Sequence, residues 1–147
     1  MTYRYLTIEM AIETHQLTIE KSGGGTQGVL ETDKLESVLA HIQNDLYYPQ
    51  FTDKLTHLFF CGCKFHCFED GNKRIAITLC AEMLLINGYM FCVKRFIFDA
   101  ENISYHVAAG NISKELLGRW MRAILDRDDE DESLKLDILH AISNSTP

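Results

Sequence analysis

Between His66 and Arg74 the chain gathers an imidazole, two carboxylates, an amide, two permanent cations and a glycine. A histidine near its ordinary pKa can take the proton of a hydroxyl, which makes His66 a candidate general base. The carboxylate of Asp70 is a hard-oxygen ligand suited to Mg²⁺. Gly71 permits a tight turn and lets a ligand approach the backbone. Residues 75–86 follow at once and are apolar on nearly every side, the pattern of a helix in the middle of a domain. Its N-terminus would present unpaired N–H groups and the positive end of the dipole, a seat for phosphate. If the donor is a nucleoside triphosphate and the acceptor a hydroxyl, Gly71, Asn72, Lys73 and Arg74 can grip the phosphates, with Lys64 adding positive charge. Each residue alone has an ordinary reading: a packed histidine, a turn, two surface cations. Together, in front of a buried helix, they favour the catalytic one.

Positioning that loop requires helices on either side. Residues 7–21 place Ile8, Ala11, Ile12 and Ile19 on one face, with Gly23 beyond as a stop, and carry His15 as a packing residue. Thr32 opens a second helix through about Gln43, and residues 44–50 break it. Thr52 or Asp53 caps a third, in which Leu55, Leu58, Phe59 and Gly62 lead into the loop. The central helix ends at Asn87-Gly88, a left-handed C-cap pair. Residues 89–98 alternate loosely and read as a short extended segment. Asp99 and residues 111–113 read as caps of two further helices, through about Ala109 and about Leu125. The expectation is one domain over residues 1–125, followed over 126–147 by an acidic linker and a short C-terminal helix.

The chain of 147 residues carries a net charge of −7 and 46% hydrophobic residues, a composition that folds. Residues 1–125 hold 14 acids against 12 bases and the remainder seven against two, so the acidity lives in the tail. Neither part has the basic patch of a direct nucleic-acid binder. No apolar run reaches the roughly 18 residues of a membrane span, and residues 1–5 lack a signal-peptide pattern, so a cytoplasmic protein is expected. Five cysteines, three of them within residues 61–67, suit reduced thiols. Cys61, Cys63, His66 and Cys67 are soft ligands that zinc accepts, but they lack the two separated pairs of a structural site.

His66-x-Phe68-x-Asp70-Gly71-Asn72-Lys73-Arg74 resembles the signature of the Fic/Doc superfamily in its Doc (death-on-curing) form. The likeness runs over roughly residues 5–125 and takes in His15, the glycine turn 23–25, the Leu35-Glu36-Ser37 helix start and Asn87-Gly88-Tyr89. It implies an all-α bundle around a central buried helix, with an exposed flap over residues 44–50 in which Leu46-Tyr47-Tyr48 is either extended or a turn. Fic members that move AMP have a second glycine where this chain has Lys73 and a further arginine where it has Ile77. The Doc-like pattern here implies instead transfer of the ATP γ-phosphate, with Mg²⁺, to a threonine of elongation factor Tu, which stops translation. The catalytic set carried over is His66, Asp70, Lys73 and Arg74. Residues 32–37 do not complete the internal inhibitory motif of some relatives, so an antitoxin acting in trans is the implied partner. Nucleotidyl transfer, or a catalytically silent interaction protein, are the alternatives.

Overall fold

The computed structural model describes residues 2–21, 32–64, 72–128 and 131–143, and for residues 15, 18–21, 32, 72 and 73 the backbone alone. The described residues form seven helices: α1 Ile8–Lys21, α2 Thr32–His41, α3 Phe51–Lys64, α4 Asn72–Ile86, α5 Met90–Ala108, α6 Lys114–Asp126 and α7 Glu132–Ser143. There is no strand among the described residues, and the fold is the expected all-α bundle.

α4 is its axis. Ile75, Ala76, Ile77, Leu79, Cys80, Ala81, Met83 and Leu84 are all buried, and α1, α3 and α5 pack around them. Burying each of the five larger side chains contributes roughly 1.5–3 kcal/mol, so this helix dominates the core. Its end is the Schellman arrangement that Asn87-Gly88 predicted. Gly88 takes φ +87, its N–H donates to Leu85 O at 3.2 Å, and the Tyr89 N–H donates to Leu84 O at 2.8 Å. The Asn87 side chain then grips the Arg4 backbone at both its N–H and its carbonyl, at 2.8 and 2.9 Å, tying the N-terminal segment to the base of α4.

The other starts follow from capping chemistry. Thr7 accepts the Met10 N–H at 3.1 Å to open α1, and Ser113 accepts the Leu116 N–H at 3.1 Å to open α6. At α3, Asp53 lies inside the first turn, and its carboxylate reaches back to accept the Gln50 N–H at 3.0 Å.

Two expectations need correction. Residues 89–98 are not extended: Met90 starts α5, and Cys92, Phe96, Ala100, Ile103 and Val107 form its buried helical stripe. The exposed Phe91 and Phe98 on the other face created the false alternation. Asp99 is consequently no cap but a mid-helix residue paired with Arg95 at 3.6 Å. The stretch 44–50 takes the second of its two readings, turns, and not the extended flap. The Asn44 side chain accepts the Leu46 N–H at 2.9 Å and its carbonyl accepts the Tyr48 N–H at 2.9 Å, leaving Leu46 and Tyr47 exposed.

The tail folds back. Asp131, from the acidic run, caps α7 by accepting the Leu134 N–H at 2.9 Å, while Leu134 is buried and Arg119 of α6 pairs with Asp137 at 2.6 Å. Among the described residues no helix is long and apolar enough to cross a membrane.

A lysine holds the opposite end of the bundle. Lys54 is 0% exposed, donates to Ile42 O at 2.9 Å and to Asp45 at 2.7 Å, and lies over the rings of Tyr5 and Tyr3. Burial pulls its pKa down, but the Asp45 and Tyr5 interactions outweigh that and leave it above the ordinary lysine value, so the ammonium stays charged. Lys54→Met keeps the chain length but strands Ile42 O and Asp45. The urea midpoint is expected to fall by the equivalent of about 1–3 kcal/mol at unchanged slope. Asp45→Asn, at a largely exposed position, costs less than about 1 kcal/mol.

Candidate active site

α3 and α4 lie against each other, and residues 65–71 join them. His66, Asp70 and Gly71, with Cys67, fall outside the described residues. What the structure describes is the frame that holds them. Lys64 is the last residue of α3, and Asn72, Lys73 and Arg74 form the first turn of α4, with Arg74 exposed. That first turn contains no acidic residue. Cations there oppose the helix dipole at roughly 0.3–1 kcal/mol each, a cost small beside the burial of α4 and reversed when an anion sits on the amides.

The spacing between the two helices is set close to the loop. A Cβ added at Gly62 would stand 2.8 Å from Ala76 Cβ and 3.3 Å from its Cα. Gly62 precedes the end of α3 by two residues, and Ala76 follows the start of α4 by four. Both loop ends are thus anchored within about one turn of the closest approach. The sequence placed Gly62 on the apolar face of α3, and here it is the residue that lets the helices touch.

Along α3, His57, Phe60, Cys61 and Lys64 recur at the i, i+3, i+4, i+7 spacing of one face and lead toward the loop. The Lys64 ammonium lies 5.8 Å from the centre of the Phe60 ring, beside Gly110 at the turn between α5 and α6. The Lys114 ammonium shares that ring at 5.8 Å and donates to His57 Nδ1 at 2.8 Å. Tyr48 stacks on the His57 ring with centroids 4.5 Å apart, and Cys61 Sγ approaches both ring nitrogens at 3.6–3.7 Å. Burial first, then Lys114, then His41, lowers the His57 pKa to about 4, so the ring is neutral at physiological pH. This cluster joins the turn 44–50, α3 and the start of α6. Its members lie up to 66 residues apart, and only the stripe on α3 could have been read from the sequence.

Other named residues are less central. His15 lies on α1, where only the backbone is described, and residues 23–25 fall outside the described set. Cys61 and Cys63 are buried in α3, and burial pushes the Cys80 thiol of α4 well up. No group of three potential ligands gathers as a metal site among the described residues. The remaining zinc ligands considered, His66 and Cys67, lie outside them. A groove of about 670 Å³ lies beside Tyr47, Thr56, Arg119 and Arg122. Thr56 is eight residues, or roughly 12 Å of helical rise, before Lys64, and the lining mixes both charges. Tyr48 and Lys114 also line it, so the groove adjoins the His57 cluster.

The Fic/DOC family model matches residues 5–84, which span α1, α2, α3, the loop and nearly all of α4, and the chain belongs to that family. Members of this family usually transfer nucleotide-derived groups to proteins, so the chain is a transferase in general terms. Neither the curated proteins nor the solved structures include a match to the chain. The matched stretch stops short of α5, α6 and α7.

Two measurements probe this frame. Gly62→Ala forces α3 and α4 apart, with an expected cost of about 1–3 kcal/mol in thermal unfolding. Combining it with Ala76→Gly restores most of the loss, and a double variant no better than the single would refute the close contact. In NMR titration, His57 should show a midpoint near 4 rather than the ordinary 6.5. Because the folded value is depressed, the unfolded chain binds the proton first. Stability contributed by His57 is present above pH 6.5 and lost as pH falls toward 4, a slope that His57→Gln removes.

Proposed function

We propose that this chain is a Doc-type toxin that moves the γ-phosphate of ATP to a threonine hydroxyl of a target protein. The observation that carries the choice of group transferred is Ile77. It is 8% exposed and belongs to the core. By resemblance, AMP-transferring relatives use an arginine at this position to hold the γ-phosphate. Here the side chain packs inward, one turn beyond Lys73 and Arg74, and offers no donor. Lys73, in place of the second glycine, puts a cation where the α-phosphate would need room.

In this reading His66 takes the proton of the threonine hydroxyl as its oxygen attacks the γ-phosphorus. The bond to the β-bridging oxygen breaks and ADP leaves, with the proton resting on the imidazole. Asn72, Lys73, Arg74 and the amides around Gly71 hold the phosphates and offset charge on the transferred group, and Lys64 adds long-range attraction. Asp70 is the carboxylate that would hold Mg²⁺, a hard ion that prefers carboxylate and phosphate oxygens. When bound, that ion neutralises phosphate charge. The proposed target is elongation factor Tu, whose phosphorylation inhibits translation. The proposed setting is the cytoplasm, with an antitoxin binding in trans.

Incubation with elongation factor Tu and γ-labelled ATP should label the factor, and α-labelled ATP should not. His66→Ala should cut the rate by about 10²–10⁴. Label from the α-position would establish AMP transfer instead. No labelling, with growth arrest surviving His66→Ala, would make the chain an interaction protein.

A further inference from the structure

The outer face of α5 is apolar where the solvent is. Met90 is 75% exposed and Phe98 82%, with Ile97 and Tyr105 also exposed on the same side. These residues recur at i, i+7, i+8 and i+15, a stripe about 22 Å long on the side of α5 opposite the buried Cys92, Phe96, Ala100, Ile103 and Val107. Phe91 does not belong to it, because the Arg127 guanidinium covers its ring at 4.1 Å. Two charges interrupt the stripe, Lys94 one turn after Met90 and Glu101 one turn before Tyr105. They stand seven residues apart, roughly 10 Å along the helix, too far to pair with each other. Neither has an ion-pair partner among the described residues.

The order of these residues reads the same from both ends in chemical terms. Laid antiparallel on a copy of itself, with the two-fold axis between Ile97 and Phe98, α5 sets Met90 against Tyr105 and Ile97 against Phe98. The same register sets Lys94 against Glu101 twice. A parallel alignment would put Lys94 beside Lys94 and Glu101 beside Glu101. An isologous contact requires that residue i meets j and j meets i, and this stripe meets that condition at each of its six positions. A crossing near 20° keeps two such stripes in contact over their whole length. We infer that the outer face of α5 is a homodimer interface, in which a second copy of this chain packs antiparallel on Met90, Lys94, Ile97, Phe98, Glu101 and Tyr105. Both apolar halves are then removed from water, and each copy supplies a cation to the other's acid.

The register makes the test specific. Sedimentation velocity or light scattering on the full chain, from tens to hundreds of micromolar, should show a concentration-dependent dimer. K94E alone sets acid against acid at both charged contacts, and E101K alone sets base against base. Each should weaken the dimer about tenfold or more while leaving the helical circular dichroism unchanged. An equimolar mixture of the two variants restores opposite charges at both contacts, so a heterodimer as tight as the wild-type dimer should form. Phe98→Ser, at a position that supports no core, should give a folded monomer. A wild-type chain that stays monomeric would overturn the interface. So would single variants that dimerise unchanged, or a mixture that fails to recover. Single variants that lose helical signal would be replaced in the comparison by Phe98→Ser, whose unaltered dimerisation would also refute it.

Discussion

The structure depends on α4 being buried over most of its circumference, with the stripe Arg74, Thr78, Glu82 and Leu85 open or partly open to solvent. α1, α3 and α5 hold it from three sides, and its C-terminal turn is locked by Gly88 and Asn87. Residue 72, which follows the segment 65–71 in the sequence, is the first of that helix. Before that segment α3 lies close against α4, because Gly62 has no side chain and Ala76 has only a methyl. A small residue on both surfaces is what lets the two helix backbones approach closely.

Around this axis the chain divides its work. The end remote from the loop is tied by the Arg4–Asn87 bonds, the Tyr3–Phe51–Tyr89 stack and the buried Lys54, all of which draw the N-terminal segment onto the bundle. The flank nearer the loop is polar but crowded. There His57 is enclosed by Tyr48, Cys61 and Lys114, and both Lys64 and Lys114 rest on Phe60. Keeping His57 neutral is what allows two ammonium groups to gather within reach of one ring. A charged imidazole would add a third cation to the same few ångströms.

Much of this was legible where local chemistry decides structure. Asn87-Gly88 announced the end of α4, Ser113 the start of α6, and the apolar run over residues 75–86 the central helix. Each of those signals acts within one or two turns. The helix α5 was legible only in its second half, since exposed aromatics on one face and buried ones on the other blur the 3.6-residue period into apparent alternation. Lys54 was illegible in principle. A lysine one turn into an amphipathic helix reads as solvated, and only the distant Ile42 carbonyl, Asp45 and two tyrosine rings explain its burial. The His57 cluster is hidden for the same reason, because α6 supplies Lys114 from 57 positions away.

The candidate site was legible from its constellation of residues, and the part of it that the structure describes, the first turn of α4, goes against a local preference. Helix starts favour acids in the first turn, as α1, α2, α3, α6 and α7 have, whereas α4 begins with an amide and two cations. Propensity alone would select against Lys73 and Arg74 there, yet the burial of the helix behind them supplies far more free energy than the misplaced charges cost. A core strong enough to hold an unfavourable terminus can keep that terminus ready for a negatively charged ligand, whose arrival turns each opposing interaction into a favourable one. The same argument explains why Ile77 can be apolar one turn later. Once the positive charge is concentrated in the first turn, the next position is free to serve the core.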